Sequence, residues 1–444
     1  MVKRNFENTN CKVKKFFVQK YLNEDGAELD GVYSAADFNT LNCAIKCTGK
    51  KPFIKQWFED DKKREYECMA FVPYGRKSKN NTPKHVYNTF SGFQAKESEN
   101  STEPVWLSQF MYEQIADGDR NVGDFLINMM AQLIQFPEVN PMVAIILRGT
   151  TGIGKDTLIL LQERMIGRAH IYRTADVSEP FPKSGGGGFN AVLKNKLILQ
   201  LNEADGYDTA KIEAFLLHQV TTEYNNIKEK YMGEQEQKNY IRVWFLSNKN
   251  SPIEIKPDDR RYFTHIVGEK FRGNTDYWNK LYKIINSNDR IDELYTWLLN
   301  RDISKFDPKR DRPKTRAYKI ATSVSIPAHI KFLKEVLFDD DEREARFNKH
   351  PTKDIWFIKP KCLYSAFESW ALDHHLFEKG KFRGTHFKKA LLEFNSIGWD
   401  RSVRGNGKVS KYVLFDRARL SKELEKYNFT VEQESEEDIL DLDD

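Results

Sequence analysis

The feature that most constrains the fold is a short apolar run, residues 142–147, followed at once by a glycine-rich loop. The run is rich in β-branched residues, which indicates a strand buried on both faces of a parallel sheet. Two more buried strands are predicted at 196–201 and 241–246, each followed directly by polar residues. This alternation of strand, loop and helix predicts an α/β core with helices on both faces of the sheet.

The loop at 149–157 follows the pattern G-x-x-x-x-G-K-[S/T] except at one position. In this pattern the glycines let backbone N–H groups turn toward phosphates, and the lysine contacts the β- and γ-phosphates. The start of the following helix adds partial positive charge. The alternative is a glycine turn that binds no nucleotide. The predicted ATP-binding residues are Gly149, Thr150, Thr151, Gly152, Ile153, Gly154, Lys155, Asp156 and Thr157.

Asp156 departs from the pattern, because a serine or threonine that contacts Mg²⁺ normally stands there. We expect Asp156 to bind Mg²⁺ directly or through water, with Thr157 assisting. A hydrolytic site also needs carboxylates at the end of a neighbouring strand. The predicted strand at 196–201 leads into Asn202 and Glu203. Glu203 is the predicted general base, and Asn202 is a weaker metal ligand in a place often taken by aspartate.

Three further predictions concern polar residues later in the chain. Asn248 follows the third strand, where its amide can hydrogen-bond the attacking water and the γ-phosphate. Arg260 and Arg261 are candidates for stabilising the transition state in a neighbouring subunit. Lys228 and Lys230 lie between the second and third strands and are predicted to grip backbone phosphates in a channel. An exposed turn is the alternative for the lysines.

The order of these motifs within about 120 residues resembles that of superfamily 3 helicases, as found in the helicase part of viral and phage primase-helicases. The sequence Gly-Lys-Asp-Thr at 154–157 is similar to the loop variant found in this viral branch. The resemblance covers roughly residues 50–270. It also rests on Trp57, Tyr66, Phe71-Val-Pro73, Tyr87-Asn-Thr-Phe90-Ser-Gly92-Phe93 and Ala131-Gln132-Leu-Ile-Gln135-Phe-Pro137.

The resemblance implies a P-loop AAA+-like ATPase core that assembles as a homo-hexameric ring and uses ATP and Mg²⁺ to move along single-stranded DNA. Nucleotide would lie between subunits, with Arg261 favoured over Arg260 as the residue acting in trans. No paired-aspartate primase signature stands out near the start of the chain. We therefore expect priming to come from a separate primase or polymerase.

Composition shifts along the chain predict six segments, including a winged-helix-like module of two helices and a basic hairpin around Asn406-Gly407. Arg404 and Lys408 of that hairpin are candidate contacts to duplex DNA. A protein-contact role for the module is equally open. The segments are an N-terminal α+β region at 1–100, a helical block at 101–140, the ATPase core at 141–275, a helical lid and linker at 276–350, the winged-helix-like module at 351–428 and an acidic, disordered tail at 429–444.

Charge and cysteine content narrow the class of protein. The net charge is +5, and because eight acidic groups lie in 432–444, the rest of the chain stands near +13, which suits a polyanionic partner. Five cysteines without suitable spacing argue against a disulfide framework or a zinc site. No apolar run is long enough to span a bilayer, so we expect an intracellular, soluble protein without a membrane partner.

Two other functions remain open. One is a replication initiator that binds origin DNA and uses nucleotide only as an assembly switch, which the departures at Asp156 and Asn202 favour. The other is a different P-loop motor, such as a packaging ATPase, which the order of Asn248 and the two arginines disfavours.

Overall fold

A computed structural model describes most of the chain. The described residues are 2–22, 28–45, 51–78, 81–176, 179–180, 190–202, 209–228, 234–248, 253, 255–256, 259–324, 327–374, 384–405 and 408–425. These form two compact units, the first comprising Met1–Ile253 and Arg260–Lys319 and the second Glu254–Asp259 and Ile320–Asp444.

A five-stranded parallel sheet forms the centre of the first unit. Its strands are β7 (Ala144–Arg148), β8 (Ile171–Thr174), β9 (Ile198–Asn202), β12 (Arg242–Ser247) and β13 (Tyr262–Ile266). Their order across the sheet is β13-β7-β12-β9-β8, and every neighbouring pair is parallel. The three buried strands predicted from the sequence are therefore confirmed as β7, β9 and β12.

Helices of the first unit pack around this sheet. They are α4 (Val105–Ser108), α5 (Arg120–Gln135), α6 (Lys155–Ile166), α7 (Thr209–Thr221), α8 (Thr275–Ile285), α9 (Asn288–Asn300) and the start of α10 (Arg316–Val324). The segment predicted as a helical block at 101–140 contains α4 and α5, and between them Gln109–Ile115 forms a π-helix. The carboxylate of Asp119 caps α5 by accepting from the backbone N–H groups of Asn121 and Val122.

A buried arginine joins α5 to the sheet. The guanidinium of Arg242, on β12, donates to Gln132 Oε1 and to the backbone oxygens of Phe136, Pro137 and Val139. These carbonyls belong to the turn that directly follows α5. Burial lowers the pKa of Arg242 to about 9.

The chain before α4 forms small sheets with three helices. The elements are α1 (Val2–Thr9), β1 (Asn10–Val13), β2 (Phe16–Leu22), β3 (Glu28–Tyr33), α2 (Ala35–Asn42), α3 (Phe53–Glu59), β4 (Glu65–Tyr66), β5 (Cys68–Ala70) and β6 (Val86–Asn88). The strand order is β3-β2-β1-β4, with β5 and β6 paired separately. The apolar core of this N-terminal region includes the aromatic rings of Phe6, Phe17, Phe38 and Trp57.

An antiparallel hairpin is inserted before β12. Its strands are β10 (Tyr224–Ile227) and β11 (Gln235–Lys238), paired from Tyr224 opposite Lys238 to Ile227 opposite Gln235. Lys228 immediately follows β10, so the lysine segment predicted from the sequence begins at the end of a hairpin strand.

The second unit has its own apolar core. Its elements, beyond α10, are α11 (Ala328–Phe338), α12 (Asp340–Arg346), β14 (Asn348–Lys349), β15 (Ile355–Ile358), α13 (Pro360–Asp373), α14 (Gly384–Leu391), β16 (Ile397–Gly405), β17 (Lys408–Asp416) and α15 (Arg417–Leu424). The strands form one antiparallel sheet in the order β14-β15-β17-β16. The two helices and the β16–β17 hairpin predicted here are present. No helix in the described ranges has the length and apolar character needed to cross a membrane.

Candidate nucleotide-binding site

The glycine loop joins the end of β7 to the start of α6. Gly149, Gly152 and Gly154 have φ angles of 133°, 83° and 90°, a region that side chains with a Cβ rarely adopt. The N–H of Gly149 donates to Ser247 O, at the end of the neighbouring strand β12. The loop therefore lies at the carboxyl edge of the parallel sheet, where open α/β folds bind ligands.

Lys155 lies under this loop and is 7% exposed. Its ammonium donates to the backbone oxygens of Gly149 and Thr150 and to Oδ1 of Asn248, the last at 2.8 Å. Asn248 also donates through Nδ2 to Thr151 Oγ1 at 3.3 Å. The structure thus brings together the lysine and the asparagine that the sequence proposed as partners at one phosphate.

Asp156 and Asn202 meet through a third side chain. The fully buried amide of Gln200, on β9, donates from Nε2 to Oδ1 of Asp156 and to Oδ1 of Asn202, both at 2.7 Å. The Gln200 Oε1 atom is buried and has no hydrogen-bond partner among the described residues. Asp156 is exposed and Asn202 half-buried, and both residues line the cleft with carboxylate or amide oxygens. These are the oxygen ligands that Mg²⁺ prefers.

Thr157 is buried and faces an aromatic residue of α8. Its hydroxyl lies 3.1 Å from the phenol oxygen of Tyr282. Trp278, one turn earlier on α8, lies against Gly154. The cleft formed here has a volume of about 670 Å³, ample for a small-molecule ligand. Its lining comprises Thr151 to Thr157, Ala175, Asn202, Leu246, Asn248, Trp278 and Tyr282.

A buried glutamine supports the loop from behind. Gln114, on the π-helix, donates to Ile153 O at 3.0 Å and to Gly268 O, and it accepts from the N–H of Phe271 at 2.8 Å. Its side chain is fully buried. It therefore fixes the glycine loop to the segment that follows β13. The helical periodicity of this part of the sequence does not distinguish Gln114 from its neighbours. The π-helix does distinguish it, because π-helices often occur at functional sites.

The other predicted residues lie next to β10 and β13 or outside the described residues. Arg260 is exposed and Arg261 half-buried, and both immediately precede β13. Lys228 forms an ion pair with Glu234 at 2.7 Å across the end of the β10–β11 hairpin. Glu203 and Lys230 lie outside the described residues, as do the side chains of Arg404 and Lys408 and the acidic tail. The roles of all of these residues stay predictions.

Fold and site together define a mixed α/β protein with a parallel sheet and a glycine loop at the carboxyl end of an inner strand. A family of unknown function, DUF5906, matches residues 147–261, which run from the end of β7 to the residue before β13. The matched region therefore contains the loop, β9 and Asn248.

The chain is distantly homologous to the DNA primase-polymerase of Nitratiruptor phage NrS-1. The two sequences are 30% identical over 150 residues, which amount to 33% of this chain and 20% of that protein. This chain thus matches only a fifth of its relative's length.

Solved structures of the NrS-1 protein are similar in fold to nearly the whole of this chain. An apo structure of the NrS-1 C-terminal region superposes with a TM-score of 0.68 at 17% identity, covering 94% of this chain and 98% of that one. A second apo form of the same region has a TM-score of 0.67 at 18% identity, covering 93% of this chain and 98% of that one. At this identity the likeness concerns the fold.

Proposed function

We propose that this chain acts in viral DNA replication as an ATP-dependent DNA helicase of the superfamily 3 type. Its core is a P-loop ATPase of the AAA+ kind, and it works as a hexameric ring that moves on single-stranded DNA. The observation that carries the proposal is the glycine loop, with three glycines at positive φ, a buried Lys155 and a helix that begins directly behind it. A loop of this form presents backbone N–H groups and a helix N-terminus to phosphate.

In the proposed mechanism Lys155 exchanges its partners when nucleotide binds. Its ammonium leaves Asn248 and the loop carbonyls and binds the β- and γ-phosphates. Asn248, released from the lysine, orients the attacking water. Glu203, predicted at the end of β9, accepts a proton from that water as the water oxygen bonds to the γ-phosphorus. The bond from this phosphorus to the β–γ bridging oxygen breaks, and ADP leaves.

The residues near the loop fit a magnesium ion. Asp156 and Asn202 would hold it, because Gln200 draws them together at the cleft, Asp156 has a second carboxylate oxygen, and Asn202 Oδ1 has a second lone pair. Bound Mg²⁺ supplies positive charge that offsets the phosphates and the carboxylate of Asp156. Arg260 or Arg261 is proposed to act on the nucleotide of a neighbouring subunit.

The relatives support a role in DNA replication. The NrS-1 protein is a phage DNA primase-polymerase, and its C-terminal region has the fold of this chain. A separate primase or polymerase is proposed as a partner. Lys228 and Lys230 are proposed to contact the DNA backbone in the channel, and Arg404 and Lys408 to contact duplex DNA.

A second candidate function is a replication initiator that uses nucleotide as an assembly switch. Two residues favour it because they differ from those of an ordinary hydrolytic site. Asn202 has an amide where aspartate is usual, and Asp156 has a carboxylate where serine or threonine is usual. Such a protein would bind origin duplex and assemble with nucleotide, but it would not displace strands.

Strand displacement separates these functions. Wild-type protein with ATP and Mg²⁺ should release the labelled strand of a forked DNA duplex, and Lys155→Ala should not. Lys283→Ala, an exposed change on α8, is the matched control and should unwind like wild type. Nucleotide-dependent assembly on duplex without strand release would support the initiator instead.

A further inference from the structure

The cleft has two chemically different walls. One wall is polar and consists of the glycine loop with Lys155, Asp156, Asn202 and Asn248. The other is aromatic and consists of Trp278 and Tyr282 of α8. A ligand that satisfies both walls carries anionic oxygens at one end and a flat apolar ring at the other.

Trp278 is held firmly at the edge of the loop. Its Nε1 donates to Phe271 O at 2.9 Å. A Cβ placed on Gly154 would lie only 2.5 Å from Cη2 of Trp278, so the ring approaches the loop more closely than any residue but glycine allows. Asn274 caps the start of α8 by accepting from Tyr277 N. The indole therefore has a fixed place beside the loop before any ligand arrives.

Tyr282 continues the same wall one turn further along α8. Its ring centroid is 6.4 Å from that of Trp278, at an interplanar angle of 38°. Its hydroxyl lies 3.1 Å from the Thr157 hydroxyl. Tyr282 is 40% exposed as a residue, although it is large and aromatic. An exposed aromatic ring in a polar cleft is well suited to stacking on a planar group.

We infer that Trp278 and Tyr282 bind the nucleobase of the ligand and give the site a preference for purine nucleotides. This inference rests on the proposed function, because it names what lies beyond the phosphates. Stacking strength grows with ring area, so adenine and guanine bind better than cytosine and uracil. Since a π-face is common to all bases, stacking alone distinguishes ATP from GTP only weakly.

Calorimetric titration of ATP, GTP, CTP and UTP in the presence of Mg²⁺ tests the inference. Wild type should bind both purine nucleotides more tightly than both pyrimidine nucleotides. Tyr282→Leu should weaken ATP and GTP by about five- to a hundredfold, as expected for loss of a stacking ring, and should erase the purine preference. Tyr282→Phe, which keeps the ring and loses only the hydroxyl, should bind ATP within about twofold of wild type.

The outcomes separate this inference from the proposed function. If Tyr282→Leu lowers the affinity for all four nucleotides equally, the residue acts through Thr157 and the inference is overturned. It is also overturned if wild type shows no purine preference, while the nucleotide site itself stands. If wild type binds no nucleotide, the proposed function fails. Trp278→Leu would also disturb packing on the glycine loop. The test therefore uses variants of the exposed Tyr282.

Discussion

The side-chain Nε2 atom of Gln200 lies 2.7 Å from Oδ1 of Asp156. The same nitrogen lies 2.7 Å from Oδ1 of Asn202, so one buried amide fixes both proposed magnesium ligands. Hydrogen-bond partners behind metal ligands typically change metal affinity ten- to hundredfold when removed. This bridge offers a physical reason why aspartate is compatible with a position that normally carries serine or threonine.

Gln200→Leu should therefore raise the Mg²⁺ concentration needed for half-maximal nucleotide turnover by about ten- to a hundredfold. The measurement is a Mg²⁺ titration at saturating ATP. Gln162→Leu is the matched control, because Gln162 is an equally buried amide whose Nε2 donates within α6, 3.4 Å from Leu158 O. An unchanged Mg²⁺ requirement in Gln200→Leu would show that the bridge does not serve the metal.

Asn248→Ala should slow ATP hydrolysis by about a hundredfold, since the loss of one positioned polar group in a catalytic site has this order of effect. Nucleotide affinity should not fall, because Lys155 then has one competing partner fewer. Single-turnover kinetics together with equilibrium binding distinguish the two quantities. A parallel loss of binding would mean that Asn248 shapes the loop and has no role in the chemical step.

Gln114→Leu should reduce the free energy of unfolding by about 3 kcal/mol, because it leaves Ile153 O, Gly268 O and Phe271 N buried without their partner. Urea denaturation measures the change. Gln109→Leu, an exposed change on the same π-helix, should alter stability by less than about 0.5 kcal/mol. Equal effects of the two variants would contradict the support role of Gln114.

Acid should destabilise the first unit through two buried histidines. Burial lowers the pKa of His170 and of His265 to about 4, from 6.5. Both are then neutral in the folded state, while the unfolded chain gains protons as the pH falls below 6.5. Their stabilising effect is complete above pH 6.5 and is lost progressively toward pH 4, at about 2 kcal/mol per histidine by pH 5.

Denaturation at pH 7.5 and pH 5.0 measures this loss. His265→Gln should lessen the difference between the two pH values, because a neutral amide can still donate to Ile115 O in place of the imidazole. His386→Gln, at an exposed position, should leave the difference unchanged. If His265→Gln is as acid-sensitive as wild type, protonation of His265 is not the cause.

The sequence predicts the local parts of the candidate site well. β7 and the loop at 149–154 follow from an unbroken apolar run and from glycines, which act over neighbouring residues. The strand order and the bridge at Gln200 do not follow, because they depend on which strands become neighbours. Alternation in 198–202 would place Gln200 and Asn202 on one face, yet only the fold brings Asp156 there.

The aromatic wall shows the same limit. Trp278 and Tyr282 lie in the segment predicted as a helical lid and linker at 276–350, and their spacing is that of an ordinary amphipathic helix. The proposed role of these two rings depends on the packing of α8 against the glycine loop, although α8 begins more than 100 residues after the loop. Arg242 is similar, since its partners at the end of α5 lie over 100 residues earlier.

The most direct test of the proposed function is the rate of ATP hydrolysis with and without single-stranded DNA. Wild type should hydrolyse ATP, and DNA should increase the rate. Lys155→Ala should abolish turnover by removing phosphate binding, whereas Glu203→Gln should bind ATP but not hydrolyse it. If wild type binds ATP without any turnover that Glu203→Gln removes, the chain is not a nucleotide-driven motor.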